Sequence, residues 1–214
     1  AGLQYKLFKS GVAAGSGLEA GGFVKSRPDL DRPDLQFHFI PGLVTDHTRI
    51  KARRHGFTAR VCHLRPQSRG TIALGSPDPL AAPLIQPNYL EAEEDRRALR
   101  EGVNIARHIF AQNAFVAYRG SEIMPDADVR DDGEIDAWIR GHAETIYHPV
   151  GTARMGADAD SVTDPQLRVR GVRGLRVADA SIIPRQISGN TNAAVIMLAE
   201  KAADAILNPS GLRS

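Results

Sequence analysis

His148 opens the stretch with the most chemical content, Tyr147-His148-Pro149-Val150-Gly151-Thr152-Ala153-Arg154-Met155-Gly156. Asp179-Ala180-Ser181-Ile182-Ile183-Pro184 follows, and then Ser188-Gly189-Asn190-Thr191-Asn192-Ala193. An imidazole and, 42 residues later, a pair of side-chain amides therefore share one C-terminal block. A base beside a neutral hydrogen-bond donor is what removing the proton of an alcohol requires. Pro149 biases His148 towards an extended conformation, and Gly151 and Gly156 allow the following backbone to approach something closely. Taken alone, a histidine in such a loop is more often structural than catalytic. His142, six residues earlier, falls at a predicted helix end and most simply caps it. Asn190 and Thr191 precede an apolar helix, where capping is the plain reading. The same helix start carries unpaired N–H groups and partial positive charge, so it also suits an anion.

Other chemistries are poorly supplied. The seven histidines have no His-Glu-x-x-His spacing and no Cys/His cluster, so no metal site is expected. There is no Gly-x-Ser-x-Gly elbow for a serine nucleophile. Cys62 is the only cysteine, cannot form an internal disulfide, and reads as a buried structural thiol in a strand. With 27 basic and 25 acidic residues, a nucleic-acid surface is not expected. Lys51-Ala52-Arg53-Arg54, the one dense basic run, reads as a solvated loop. No apolar run approaches the roughly 18 residues that span a bilayer.

The elements that must position these residues are short. Residues 1–20, with Gly11, Gly15 and Gly17, read as a loop. Phe23-Val24, Leu35 to Ile40, Phe57 to Leu64 and Gly70 to Leu74 read as strands. Their polar connections, including a long 43–55 loop with His47 and His55, suit an antiparallel sheet. The Pro77 to Pro87 stretch reads as a connector. A helix from Glu91 places Leu99, Val103, Ala106 and Phe110 on one face, and a second begins at Asp131-Asp132-Gly133-Glu134, its acidic first turn matching the helix dipole. Leu167-Arg168-Val169 and Leu175 to Ala178 read as strands. The last helix, from about Asn192 to Ile206, is apolar on more than one face and is expected to be buried.

At this density of motifs the chain resembles a known family. His148-Pro149-Val150-Gly151-Thr152, Arg154-Met155-Gly156, Leu167-Arg168-Val169, Gly174-Leu175-Arg176-Val177, Asp179-Ala180-Ser181, Gly189-Asn190-Thr191-Asn192-Ala193 and Ala199-Glu200-Lys201-Ala202-Ala203-Asp204 resemble the C-terminal signature of the glucose–methanol–choline flavoenzymes. Glu19-Ala20-Gly21-Gly22-Phe23, Gln36-Phe37-His38-Phe39, Ser68-Arg69-Gly70 and Tyr118-Arg119-Gly120 resemble its choline dehydrogenase branch. The likeness covers nearly the whole chain.

The resemblance implies an FAD-dependent oxidation of a primary alcohol to an aldehyde. By position, His148 is the base and Asn190 holds the alcohol oxygen. Asn190, Thr191 and Asn192 face the flavin ring, and Asp179 and Ala180 lie beside its ribityl–phosphate portion. The implied fold is α+β or α/β: an antiparallel substrate-domain sheet with covering helices, then the last strand and helix of a Rossmann-like FAD domain. Residues 1–145 would be substrate-binding, and residues 146–214 would complete the FAD domain and active site.

The family's Gly-x-Gly-x-x-Gly turn is missing, because Gly11 to Gly17 has the wrong spacing. The expectation is a C-terminal portion that needs an N-terminal FAD-binding companion. A bacterial-type, soluble or peripherally membrane-associated cytoplasmic protein is implied. Two alternatives stand beside this reading: a redox-neutral lyase like the hydroxynitrile lyases, and a non-catalytic fragment or partner chain. For choline, an aromatic cage is wanted, yet Trp138 is the only tryptophan and a cation at Arg65 would disfavour that substrate.

Overall fold

The structure, a computed structural model, describes residues 2–11, 14–18, 20–44 and 55–208. Glu19, His47 and the Lys51-Ala52-Arg53-Arg54 run lie outside the described residues. Two compact units are formed, Ala1–Gln67 with Leu90–Glu144, and Ser68–Tyr89 with Thr145–Ser214. The segment 68–89, grouped with residues 1–145 by sequence, packs into the second unit.

In the first unit, β1 (Ala20–Val24), β2 (Leu35–Ile40) and β3 (Thr58–His63) form an antiparallel sheet in that order. The register pairs Leu35 with Val24 and His63, and Phe37 with Gly22 and Val61. Period-two alternation then sends Val24, Leu35, Phe37, Ala59 and Val61 to one face. That face buries Leu35 and Phe37 against Ala98 of α2 (Glu93–Ala111), with Ile105 and Ala106 beside them. The opposite face carries Phe23, Gln36 and Cys62 in one cross-strand row, and Gly21, His38 and Arg60 in the next. Burial pushes the Cys62 thiol up to about 11, which suits an inert structural group.

The fully buried residues of α2 are Asp95, Ala98 and Gly102, while the predicted Leu99, Val103, Ala106 and Phe110 are half-buried, with Ala106 and Phe110 packed on the sheet side. Small residues let the helix come closer to the sheet than large ones would. A Cβ on Gly102 would lie 2.6 Å from Val61 Cγ1. Asp95 sits at the buried end of this stripe and accepts a hydrogen bond from the Gln67 backbone N–H at 2.7 Å. Beside it, His63 Nδ1 stands 3.6 Å from Asp95 Oδ1 and has no hydrogen-bond partner. Farther along, Phe39, Phe57, Phe110 and Phe115 cluster with ring centroids 5.0–6.5 Å apart.

Helix α3 (Asp132–His142) starts at a capping box. Asp131 accepts from the Glu134 backbone N–H, and Glu134 reaches back to the Asp131 N–H. Arg100 ties α2 to α3 through Asp136 at 3.3 Å. At the far end His142 meets the Trp138 carbonyl at 2.8 Å and stacks on the indole, so it does serve the helix end. The loop predicted over residues 1–20 is interrupted by a helix at its start. Gly2–Phe8 is a helix, α1, with no buried residue. The glycines that suggested a loop lie beyond its end, and Leu3 to Phe8 are tolerable helix formers.

In the second unit, β4 (Thr71–Ala73) pairs antiparallel with β5 (Leu84–Gln86), so the Pro-rich connector contains a strand. The predicted strands at 167–169 and 175–178 are reduced to single bridges, Thr163 to Val169 and Arg168 to Arg176. Turns at Gly171 and Gly174, both at positive φ, leave too few residues for a ladder. Helix α4 (Asn192–Leu207) rests Leu198 and Ala202 on a small core of Met155, Leu167, Val177 and Ile182. The expectation that α4 is buried is corrected. Only Ala202 is buried, and Ile196, Met197, Ile206 and Leu207 are exposed, because this core covers one narrow stripe of the helix. No helix among the described residues is long and apolar enough to cross a membrane.

Two outcomes follow from the first unit. Gly102→Val should cost about 1–3 kcal/mol of stability through overpacking against Val61, read from urea unfolding. Burial holds His63 below its ordinary 6.5, against the opposing pull of Asp95, Asp34 and Glu94. The folded state thus binds fewer protons. His63 contributes stability that is present above pH 6.5 and lost as pH falls through the lowered folded value. His63→Gln should flatten that part of the stability–pH curve, and an unchanged slope would show that His63 is not its source.

Candidate active site

The loop carrying His148 is shaped by local backbone constraints. Tyr147 has φ +64° and its N–H donates to Thr145 Oγ1 at 3.0 Å. Gly151 has φ +90°, a value that glycine adopts without strain. A Cβ there would still find Ile183 O at 3.4 Å, so the chain runs close to the next segment.

That next segment holds the loop. The Ala153 N–H donates to Ser181 O at 3.0 Å and the Met155 N–H to Ile182 O at 2.9 Å. On the other side, Gly156 N–H donates to Thr163 O at 3.1 Å and Val162 N–H to Arg154 O at 3.1 Å. Thr163 is fully buried between them. Residues 153–156 are thus a short extended piece clamped between two others, although no regular strand is formed.

A side-chain brace completes the clamp. Arg154 forks onto Asp158 at 2.8 and 3.0 Å and also reaches Ser161 Oγ at 3.0 Å. Ser161 Oγ in turn donates to Asp158 Oδ2 at 2.8 Å. The guanidinium, with the Ser161 hydroxyl, holds the Asp158 carboxyl well below the usual carboxylate range. Sequence reading missed this brace. Its signal was the opposite charges four residues apart, at Arg154 and Asp158.

Asp179 and Ala180 begin a short 3-10 turn, Ala180–Ile182. The Asp179 carboxylate accepts from the Ser181 N–H at 2.8 Å and from its hydroxyl, so this charge caps the turn. Asn190 is exposed and immediately precedes α4, and Thr191 is buried at the N-cap position. The capping expectation fails in its side-chain form. Thr191 makes no side-chain cap, and its carbonyl accepts the first helical bond from Val195 at 2.9 Å. The first-turn N–H groups at Asn192 and Ala193 therefore have no side-chain cap.

The structure brings the His148 loop and the Asp179–Ile183 turn together through paired main-chain bonds. It does not link His148 to Asn190. Among the described residues neither side chain makes a hydrogen bond, and His148 is half-buried while Asn190 is exposed. An unengaged imidazole and an unengaged amide on a braced backbone can accept and donate, respectively, toward a small polar molecule. No group of three or more His, Cys, Asp or Glu side chains suits a metal among the described residues.

Residues 66–199 match the family described as GMC oxidoreductase. An alcohol dehydrogenase [acceptor] of Pseudomonas putida is 49% identical over 212 residues, spanning 99% of this chain and 38% of that protein. The chain belongs to the GMC oxidoreductase family. An oxygen-dependent choline dehydrogenase of Rhizobium etli is 47% identical over 214 residues, 39% of its length. Among solved structures, a formate oxidase variant of Aspergillus oryzae, studied for its FAD modification, superposes with TM-score 0.85 at 27% identity. That match covers 97% of this chain and 41% of the oxidase. A fungal aryl-alcohol oxidase superposes with TM-score 0.69 at 27% identity, covering 83% and 28%. The chain thus spans under two-fifths of the curated relatives it matches. Small antiparallel sheets with covering helices are the architecture expected of this GMC segment.

Gly156 is the tightest point of the brace. A Cβ there would run into Ser161 Oγ and come within 2.7 Å of Asp158 Oδ2. Gly156→Ala should lower stability by about 1–3 kcal/mol, measured as a shifted urea midpoint. An unchanged midpoint would mean that the brace yields without cost.

Proposed function

We propose that this chain is the C-terminal portion of an FAD-dependent alcohol oxidoreductase that converts a primary alcohol to an aldehyde. The observation that carries this reading is the pair of unengaged side chains, His148 and Asn190, in the braced second unit. The names of the relatives support it, since those quoted are oxidoreductases acting on alcohols, choline or formate.

In this reading, a ring nitrogen of neutral His148 accepts the hydroxyl proton. The Asn190 amide donates a hydrogen bond to the alcohol oxygen and holds it as the carbonyl forms. When bound, FAD supplies the two-electron acceptor for the hydride leaving the carbinol carbon. Residues of this chain fit that group. The N–H groups at Asn192 and Ala193, without a side-chain cap, favour negative charge at the start of α4. Asp179 has its carboxylate engaged by Ser181, which lessens its repulsion of a phosphate, and Ala180 beside it is small. Residues 1–145 would then bind substrate, the 68–89 segment doing so from within the second unit, and residues 146–214 complete the flavin site, with the remaining FAD-binding part supplied by an N-terminal companion or segment.

The test is anaerobic mixing of the intact flavoenzyme with a panel of primary alcohols, following bleaching of the flavin. His148→Ala should slow reduction by about 10²–10⁴-fold and leave alcohol affinity within a few-fold. Reduction at the wild-type rate would remove His148 from the mechanism. No bleaching by any alcohol, with flavin bound, would favour redox-neutral chemistry.

A further inference from the structure

The segment 164–176 has a charge pattern that the proposed chemistry does not use. From Pro165 to Ala178 there are four arginines and no carboxylate. Arg168 and Arg176 are direct cross-strand partners in an antiparallel bridge. Arg170, two residues beyond Arg168, follows it on the same side of an extended segment, and Arg173 lies in the turn between Gly171 and Gly174. All four line a groove of about 480 Å³.

Like charges directly opposite each other in a bridge are destabilising. None of the four arginines has an ion pair among the described residues. Arg170 donates to the Gly156 carbonyl at 2.9 Å and Arg176 to the Gln166 carbonyl at 3.4 Å, both neutral acceptors. Arg168 and Arg173 make no side-chain hydrogen bond. Asp164, the one carboxylate in the lining, has Oδ1 engaged by the backbone N–H groups of Gln166 and Arg168, each at 2.9 Å.

We infer that this arginine-lined groove is a docking surface for a carboxylate-bearing polypeptide segment from the part of the enzyme that the relatives have beyond this chain's span. Guanidinium forks match carboxylates in pairs. The lining also includes Val172 and Leu175, 52% and 49% exposed, which suits a peptide better than a bare inorganic anion. More than three-fifths of the curated relatives' length lies outside the match, so polypeptide is available to fill it. The groove stands at the amino end of the 175–178 segment, whereas Asp179 and Ala180 stand at its carboxyl end, so it is separate from the residues assigned to flavin. This inference rests on the reading that the chain is part of a longer flavoenzyme.

The experiment uses the intact enzyme. Arg168→Lys and Arg173→Lys variants are treated with a water-soluble carbodiimide, which joins an amine to a carboxylate in direct contact, and the peptides are mapped. The expected product links position 168 or 173 to an Asp or Glu outside these 214 residues. Links only within these residues, links only to a second copy in isotopically mixed protein, or no link would overturn the proposal. A second readout depends on sign. With an acidic partner, Arg168→Gln lowers Tm by about 1–2 °C at low salt, and the drop shrinks as salt rises. Without one, the same substitution relieves repulsion from Arg176, and an unchanged or raised Tm overturns the inference. Stabilisation of the wild type by millimolar diphosphate that is lost in Arg168→Gln would also overturn it, because the groove would then be open to free anions. Wild-type flavin content, read separately by absorbance, reports on the flavoenzyme reading whatever the cross-links show.

Discussion

Two main-chain hydrogen bonds, from Ala153 to Ser181 and from Met155 to Ile182, govern the geometry of the second unit. They join the loop after His148 to the turn after Asp179, stretches more than 20 residues apart in sequence. Neither stretch belongs to a regular sheet. Their backbone groups must nevertheless be satisfied where they are buried, and each other's N–H and C=O groups are the available partners. The Arg154, Asp158 and Ser161 brace then stiffens the same loop from its outer side. A histidine on an irregular segment thereby gains some of the positional definition that a strand would give, without its own side chain being used.

The first unit reaches rigidity by another route. Its helix α2 lies close to the sheet because the contact stripe is built from Asp95, Ala98 and Gly102. Close approach permits dense dispersion contacts with Leu35, Phe37 and Val61. It also buries polar groups beside the core. Asp95 is held there by a backbone N–H, and Asp34 by the Ser26 N–H and hydroxyl. On the other sheet face, Gln36 is buried with its amide oxygen lacking a partner. A buried acceptor in that state carries a desolvation cost, which a polar ligand or further polypeptide on that face would offset.

The sequence revealed some elements better than others, and the reasons are physical. Strand β2 alternates cleanly between two differently buried faces, and α3 begins with a reciprocal cap written in Asp131 and Glu134. Both signals are local. The contact stripe of α2 was misread because the large residues Leu99 and Val103 look more core-like than Ala98 and Gly102, while packing distance favours small ones. Strand β5 was hidden among prolines, and α1 by the glycines after it. The 175–178 segment reads as a strand by composition, but the neighbours it has here give it one bridge. His148, Asn190 and the Asp179–Asn192 residues stand out as candidates in the sequence because their types and order are unusual. Their mutual arrangement does not, since it depends on clamps between distant loops.

The exposed apolar residues of α4, Ile196, Met197, Ile206 and Leu207, bear on the same point. A helix this apolar contributes most when both sides are covered, and the core formed by Leu167 and Ile182 covers only one. The family relationship and the share of the relatives that is matched support the proposal that residues of this chain supply proton transfer and alcohol positioning while the cofactor is held with help from elsewhere. The most direct measurement is a crystal structure of the intact oxidised enzyme with an unreactive alcohol analogue. The account predicts a His148 ring nitrogen and the Asn190 amide both within about 2.6–3.2 Å of the analogue's oxygen, beside the flavin. A complex in which that oxygen contacts neither side chain would contradict it.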